Sequence, residues 1–265
     1  MKTDKLILQL DELLRHVGGY LLKRRSQGPI DGTWEGTQLK SDTDLIAERL
    51  IIDALGKLLV VLPVVSEEQV STHDRRHLHR YWLVDPIDGT ASYAGGYNGF
   101  VSQIALIENG WPMVAAVYAP ALDLMYLAEH GSGATVNSDK ISIPQGRVER
   151  LVLTDNYPQP RGIAGRLYQR LGCHGYIESG SIGLKICRVA DGTAGVFVKD
   201  VIVRDWDTAP GHLILHEAGG TICDLKGNPL LYNKDSFEKR CGLIAAANHV
   251  LADHIASLIS EDLTK

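Results

Sequence analysis

Tyr81-Trp82-Leu83-Val84-Asp85-Pro86-Ile87-Asp88-Gly89-Thr90 is the stretch on which the reading of this chain turns. Trp82, Leu83 and Val84 form an unbroken apolar run that reads as a buried strand. Proline has no amide to give to a sheet ladder, so the strand is expected to stop at Asp85. Asp85 and Asp88 then stand three residues apart on a stiff turn, with the Ile87 carbonyl between them. Gly89-Thr90 follow, a pair able to turn backbone N–H groups toward an anion where a helix begins. Hard oxygen donors beside amide donors are the chemistry of a metal-assisted phosphate site.

Outward from this stretch, composition narrows the choices. A chain of 265 residues suffices for one large domain or two modest ones, and 45% hydrophobic with 22% charged residues is ordinary for a globular protein. A net charge of -5 argues against a nucleic-acid polymer or an anionic membrane surface as partner. It leaves room for a small anionic substrate wherever bound cations reverse the local sign. Lys2, Asp4, Lys5, Asp11 and Glu12 interrupt the apolar core that a signal peptide needs, and the apolar run at residues 58–65 is short and contains Pro63. Cys173, Cys187, Cys223 and Cys241 are widely spaced, so reduced thiols in a cytoplasmic protein are expected rather than disulfides or zinc ligands.

Leu6, Leu10, Leu13, Val17 and Leu21 recur at helical spacing, with Lys23-Arg24-Arg25 as a basic last turn. Residues 28–36 read as a loop. Ser41 or Asp42 can cap a second helix whose apolar face includes Leu45, Leu55 and Leu59, with Asp44 in its first turn. A short strand at residues 63–65 delivers Ser66-Glu67-Glu68, and a polar connection at 69–80 carries His73, His77 and His79. Beyond the opening motif, strands at 100–107 and 111–118 flank the hairpin turn Asn109-Gly110, and another is expected at 125–128. The first half thus reads as two helices on a largely antiparallel sheet, an α+β unit.

The second half changes character. Strands at 151–153, 195–198, 221–224 and 243–247 alternate with helices at 164–171, 181–190, 207–218 and 249–259, which suggests an α/β unit. The composition shift near residues 133–146 places the expected boundary between an N-terminal domain, 1–135, and a C-terminal domain, 136–265.

An Asp-x-x-Asp pair alone reads as solvated loop residues or a helix cap, and Asp207, opening a helix after Arg204-Asp205-Trp206, taken alone reads as an N-cap. Taken together, Asp85-Pro86-Ile87-Asp88-Gly89-Thr90 and Trp206-Asp207-Thr208-Ala209 resemble the two-part signature of the inositol monophosphatase superfamily of metal-dependent, lithium-sensitive phosphatases. Residues 40–44, Val65-Ser66-Glu67-Glu68, Gly180-Ser181-Ile182-Gly183-Leu184-Lys185 and Glu217-Ala218-Gly219-Gly220 fall in the matching order. Val117-Tyr118-Ala119-Pro120 and Asp207-Thr208-Ala209-Pro210-Gly211-His212 look most like its bacterial CysQ branch, the 3'(2'),5'-bisphosphate nucleotidases. One segment departs: Ala91-Ser92-Tyr93-Ala94-Gly95-Gly96 stands where that branch usually carries a basic residue, Glu and Phe.

The resemblance implies a layered αβαβα sandwich of the inositol monophosphatase and fructose-1,6-bisphosphatase type. It implies Mg2+-dependent hydrolysis of the 3'-phosphate of 3'-phosphoadenosine 5'-phosphate by a metal-activated water, in a cytoplasmic enzyme that often forms homodimers. Glu67, Asp85 and the Ile87 carbonyl would hold one Mg2+, and Asp85, Asp88 and Asp207 a second. A weaker third would sit beside Glu67, giving two to three ions, and bridged ions in such sites lie roughly 3.5–4 Å apart. Thr90 with Asp44 would orient the water and accept its proton, while the Gly89 and Thr90 amides bind phosphate oxygens. Asp88 and Asp207 also fall beside substrate, and Lys185 is the favoured partner of a second phosphate, ahead of Lys199 and Arg204. Asp200 matches the position of a substrate-hydroxyl acid in inositol monophosphatases, which keeps an inositol-1-phosphate or broad sugar-phosphate phosphatase as the alternative. A non-catalytic ligand-binding protein on the same fold is the remaining one. His73, His77 and His79 lack a cysteine partner for zinc, and Gly131-Ser132-Gly133 reads as a turn.

Overall fold

The leucine-rich opening of the chain forms α1 (Lys2–Ser26), which turns Leu10, Leu14, Val17 and Leu21 inward and ends on Lys23, Arg24 and Arg25. Those cations face the negative end of the helix dipole. The structure, a computed structural model, describes residues 2–35, 38–58, 61–72, 77–144, 146, 150–232 and 242–263. The stretch expected as a loop carries instead β1 (Gly32–Glu35) and β2 (Gln38–Ser41), a separate antiparallel ribbon. Ser41 caps α2 (Asp42–Leu55) as its sequence signal requires. The buried face of α2 runs through Asp44, Ala47, Glu48, Ile51 and Leu55, so Leu45 points to solvent, contrary to expectation. Two acidic residues on that face hid it from a reading by leucines alone. Leu59 lies outside the described residues.

β3 (Val64–Ser66) pairs in parallel with β4 (Arg80–Asp88), the strand of the opening motif. After the short α3 (Thr90–Ala94), the sheet grows antiparallel through β5 (Val101–Glu108), β6 (Trp111–Ala119), β7 (Leu124–Glu129), β8 (Gly133–Val136) and β9 (Asp139–Ile141). The strand β4 does not stop at Asp85. Its pairing with β5 slips between Asp85, opposite Gln103, and Asp88, opposite Val101, and Pro86 falls inside the slip, where a missing amide costs no ladder bond. Asn109 and Gly110, with φ of 50° and 80°, make the expected two-residue turn.

The second sheet is built from β10 (Val152–Asp155), β11 (Gly175–Glu178), β12 (Val196–Lys199), β13 (Thr221–Cys223) and β14 (Leu243–Ala246) in the order β11-β10-β12-β14-β13. Its helices are α4 (Gly162–Arg170), α5 (Ile182–Ala190), α6 (Asp205–Glu217) and α7 (His249–Leu263). The layers follow from which side chains meet. Trp82, Val84, Ile104 and Leu106 pack on α1 and α2. Their neighbours Tyr81, Leu83, Val101 and Ala105 pack with Leu184, Ile186, Leu213 and Ile214 of α5 and α6. Strand side chains alternate between faces, so a run buried on both sides is apolar throughout. The far face of the second sheet, Val196, Val198 and Ile244, is covered by α4 and α7. The stack is αβαβα, as expected. The first sheet, however, runs on to Ile141, so the expected boundary after residue 135 cuts through β8. No helix among the described residues is long and apolar enough to cross a membrane.

Candidate active site

Parallel pairing of β3 with β4 sets Ser66 opposite Val84, and the Glu67 amide donates to the Val84 carbonyl at 3.2 Å. That register carries Glu67 alongside Asp85. The slip at Pro86 then brings Asp88 to the same side, and Gly89, at φ 91°, turns the chain into α3 through a conformation that a side chain would resist. From the second half, Arg204 and Asp207 arrive at the start of α6. These residues, with Ile87 and Thr90, line one cavity of about 520 Å3 whose apolar wall includes Leu39, Ile182, Val201 and Ile202. Glu67, Asp85, Asp88 and Asp207 are therefore brought together, although more than a hundred residues of chain separate the last from the others.

Asp88 joins the halves. Its Oδ2 accepts from the Gly183 amide at 2.7 Å and the Ser181 hydroxyl at 2.8 Å, and its Oδ1 from the Ile182 amide at 3.3 Å, all in the first turn of α5. Gln103, opposite Asp85, donates through Nε2 to Asp88 Oδ2 at 3.3 Å and Asp85 Oδ2 at 3.5 Å. Asp207 is not the N-cap of α6. It stands at the third helical position and its Oδ2 accepts the Arg204 amide at 2.8 Å. Thr90 Oγ1 donates toward Asp44 Oδ1 at 3.0 Å or the Ile87 carbonyl at 3.1 Å, and Asp44 Oδ2 accepts the Ser41 amide at 2.9 Å. Behind Gly89 the halves meet as bare backbone: a Cβ on Gly99 would lie 2.5 Å from the Gly180 nitrogen.

The electrostatics are adverse for protein alone. Burial, then the Asp207 and Glu68 carboxylates, pushes Glu67 up to about 8. Burial and then Asp88 push Asp207 up to about 7. Asp85 lies well above the carboxylate range, through burial first and then Glu67, Asp88 and Asp207. Its Oδ1 is buried and has no hydrogen-bond partner among the described residues. Arg204 supplies some compensation, with Nη1 3.5 Å from Glu67 Oε1. Clustered carboxylates with an orphaned buried oxygen, and a donor set made only of oxygens, fit hard divalent cations of the Mg2+ type.

Other candidates fall elsewhere. Lys185 does not reach the cavity: it is fully buried, and its Nζ donates to Asn156 Oδ1 at 2.6 Å, the Gly180 carbonyl at 2.8 Å and the Ser179 carbonyl at 3.2 Å. Burial pushes its ammonium down to about 7, while three acceptors match the three protons of the charged form. It braces the loop that presents Ser181 to Asp88. Lys199 pairs with Asp155 at 2.9 Å. Asp200 lies exposed on a separate groove beside α4 and α7. His77 and His79 are exposed and join no metal-ligand cluster among the described residues; His73 is outside them. Gly131 and Ser132 lie in the turn between β7 and β8, and Gly133 opens β8. Gln103 and Ser181 were not anticipated as site residues. Their roles depend on strand register and on where α5 begins, and no local pattern around Gln103 marks it.

Residues 5–263 match the inositol monophosphatase family. The 3'(2'),5'-bisphosphate nucleotidase CysQ of Escherichia coli (strain K12) is 35% identical over 199 residues, 73% of this chain and 80% of that protein. The Nus factor SuhB of Xylella fastidiosa is 30% identical over 213 residues, 77% of this chain and 76% of that protein. Among solved structures, the Thermotoga maritima IMPase superposes with a TM-score of 0.80 at 26% identity, covering 98% of each chain.

Proposed function

This chain belongs to the inositol monophosphatase family and is a phosphatase, and from that premise we propose that it hydrolyses the 3'-phosphate of 3'-phosphoadenosine 5'-phosphate to give AMP and phosphate, with Mg2+ as cofactor. The observation that carries the reading is the convergence of Glu67, Asp85, Asp88 and Asp207 on one cavity beside the Thr90–Asp44 hydrogen bond.

Glu67, Asp85 and the Ile87 carbonyl would hold one Mg2+, Asp85, Asp88 and Asp207 a second, and a weaker third would sit beside Glu67. When bound, the cations supply Lewis acidity toward the phosphoryl group and make a neighbouring water easier to deprotonate. The chain's own residues do the rest. Thr90 gives its proton to Asp44 and so keeps hydroxyl lone pairs for the attacking water, which it orients and whose proton it receives. Burial holds Asp44 above the usual carboxylate range, so it can take up the proton that Thr90 passes on. As the water oxygen bonds to phosphorus and the P–O bond to the ribose 3' oxygen breaks, the bonding electrons leave with that oxygen, which takes a proton from solvent water to become the 3'-hydroxyl, while the Gly89 and Thr90 amides donate to the phosphoryl oxygens on which charge builds.

The nucleotide is favoured by the similarity to the E. coli CysQ protein and by the apolar rim of Leu39, Val201 and Ile202. One observation favours the alternative, an inositol-1-phosphate or sugar-phosphate substrate. Tyr93, in the segment that departs from the CysQ pattern, is buried and bonded to the Leu21 carbonyl at 2.9 Å, so the segment is anchored by packing and offers no basic group. The test is kcat/KM on 3'-phosphoadenosine 5'-phosphate and on inositol 1-phosphate, with and without Mg2+ and Li+. A bisphosphate preference that needs Mg2+ and is inhibited by Li+ is expected. The reverse preference would overturn the substrate, and no phosphate release from either would leave a ligand-binding role in its place.

A further inference from the structure

A second group of donors gathers at the opposite end of α6 from Asp207. His130 follows β7, and His216 and Glu217 stand at the last turn of α6 and just inside its end. One ligand atom from each lies within 4.8 Å of the others. His130 Nδ1 is 3.3 Å from Glu217 Oε1, and the two imidazoles are stacked 29° from parallel with centroids 6.2 Å apart. The Glu217 carboxylate is fixed from behind: Oε1 accepts the Gly131 amide and Oε2 the Gly133 amide, each at 2.9 Å. Each oxygen so held retains a lone pair. Glu217 is sheltered while both histidines open to solvent, which gives an ion a route in. The C-terminal end of a helix adds negative potential at this point.

We propose that His130, His216 and Glu217 form a second metal site, distinct from the carboxylate cavity, that takes a transition-metal cation of the Zn2+ class. Two imidazole nitrogens and one carboxylate oxygen suit Zn2+ or Ni2+ and are poor ligands for Mg2+, which takes oxygens. The all-oxygen cavity has the opposite preference. His216 lies nine positions after Asp207 along α6, about 14 Å at helical rise, so neither ion shares a ligand with the other. The bound ion fastens the β7–β8 turn of the first sheet to the helix layer beneath it, adding to the Glu217 carboxylate and to the packing of Ala128 and Ala134 against α6. The site stands independently of the phosphatase reading.

Trp111 provides the signal, because its ring meets His216 edge-on at 5.5 Å and His130 at 6.4 Å. The full chain, with excess Mg2+ present to fill the carboxylate cavity, is titrated with Zn2+ by equilibrium dialysis and with Ni2+ by tryptophan fluorescence. Uptake of a single zinc and quenching by Ni2+ are expected, both weakened about tenfold or more in His130→Ala and in His216→Ala. Trp111→Phe should lose the quenching and keep the zinc. Melting temperature in EDTA and Mg2+-supported phosphate release should be unchanged in His130→Ala. A wild-type chain that takes up no zinc, or histidine variants that bind it as tightly as the wild type, would overturn the assignment.

Discussion

Arg204 Nη1 stands 3.5 Å from Glu67 Oε1, so a guanidinium from the second half of the chain already fills part of the charge deficit among the first-half carboxylates. The pair is partly exposed, which keeps its worth modest. Arg204→Gln should remove a competing positive charge and tighten Mg2+ binding about threefold. The midpoint of an Mg2+ titration followed by calorimetry reports this; a weaker midpoint would mean that Arg204 helps to assemble the metal site.

Metal-free stability should fall as pH rises. Glu67 is pushed up to about 8 and Asp207 to about 7, so the folded chain keeps these protons where the unfolded chain has released them. Between the ordinary carboxylate range and about pH 8 the native state binds more protons, and unfolding becomes easier with each step upward. Saturating Mg2+ should cancel the slope. Melting temperatures in EDTA that stay flat or climb across this window would contradict the assigned electrostatics.

Asp85→Asn should separate stability from function. It replaces a buried acid that folding holds protonated against its ordinary tendency to ionise, so the metal-free protein should gain about 1–3 kcal/mol near neutral pH. The Mg2+-induced rise in melting temperature should shrink sharply, and phosphate release should be nearly abolished. Thermal unfolding with EDTA and with Mg2+ checks both halves.

Thr90→Val should lower kcat by about 10²–10⁴ with little change in KM, whereas Thr90→Ser should stay within about tenfold of wild type. The reason is the 3.0 Å bond to Asp44, which needs a hydroxyl and not a methyl. Steady-state kinetics of both variants decide it, and a Thr90→Val enzyme that shows raised KM alone would move Thr90 from the chemistry to binding.

Lys185→Ala should cost about 2–4 kcal/mol of stability, because a fully buried side chain is removed and the Ser179 and Gly180 carbonyls and Asn156 Oδ1 lose their shared donor. The ratio of kcat/KM for the bisphosphate over inositol 1-phosphate should not change. Denaturant unfolding and the two-substrate comparison test these separately.

What could be read from sequence was whatever depends on near neighbours. The unbroken run Trp82 to Val84 announced a buried strand, Asn109-Gly110 announced the hairpin between β5 and β6, and Ser41, beside Asp42, announced the start of α2. The carboxylates that meet in the cavity were legible because each lies in a short motif of its own segment. Gln103 was not, since only the register across β4 and β5 places it between Asp85 and Asp88. Lys185 was misjudged for a related reason: helical spacing says nothing about whether a long side chain folds back to brace the loop before its own helix. The short strands β1, β2, β8 and β9 escaped because three or four residues among turn formers carry too little periodicity to register.

Where Gly99 meets Gly180, the two halves touch as backbone against backbone, and nothing on either residue can be trimmed to make more room. That contact works as a fixed ruler behind Gly89. Any redesign toward bulkier phosphate esters must therefore leave this side alone and carve the opposite rim, at Leu39, Val201 and Ile202, where side chains set the width and exposed positions tolerate exchange.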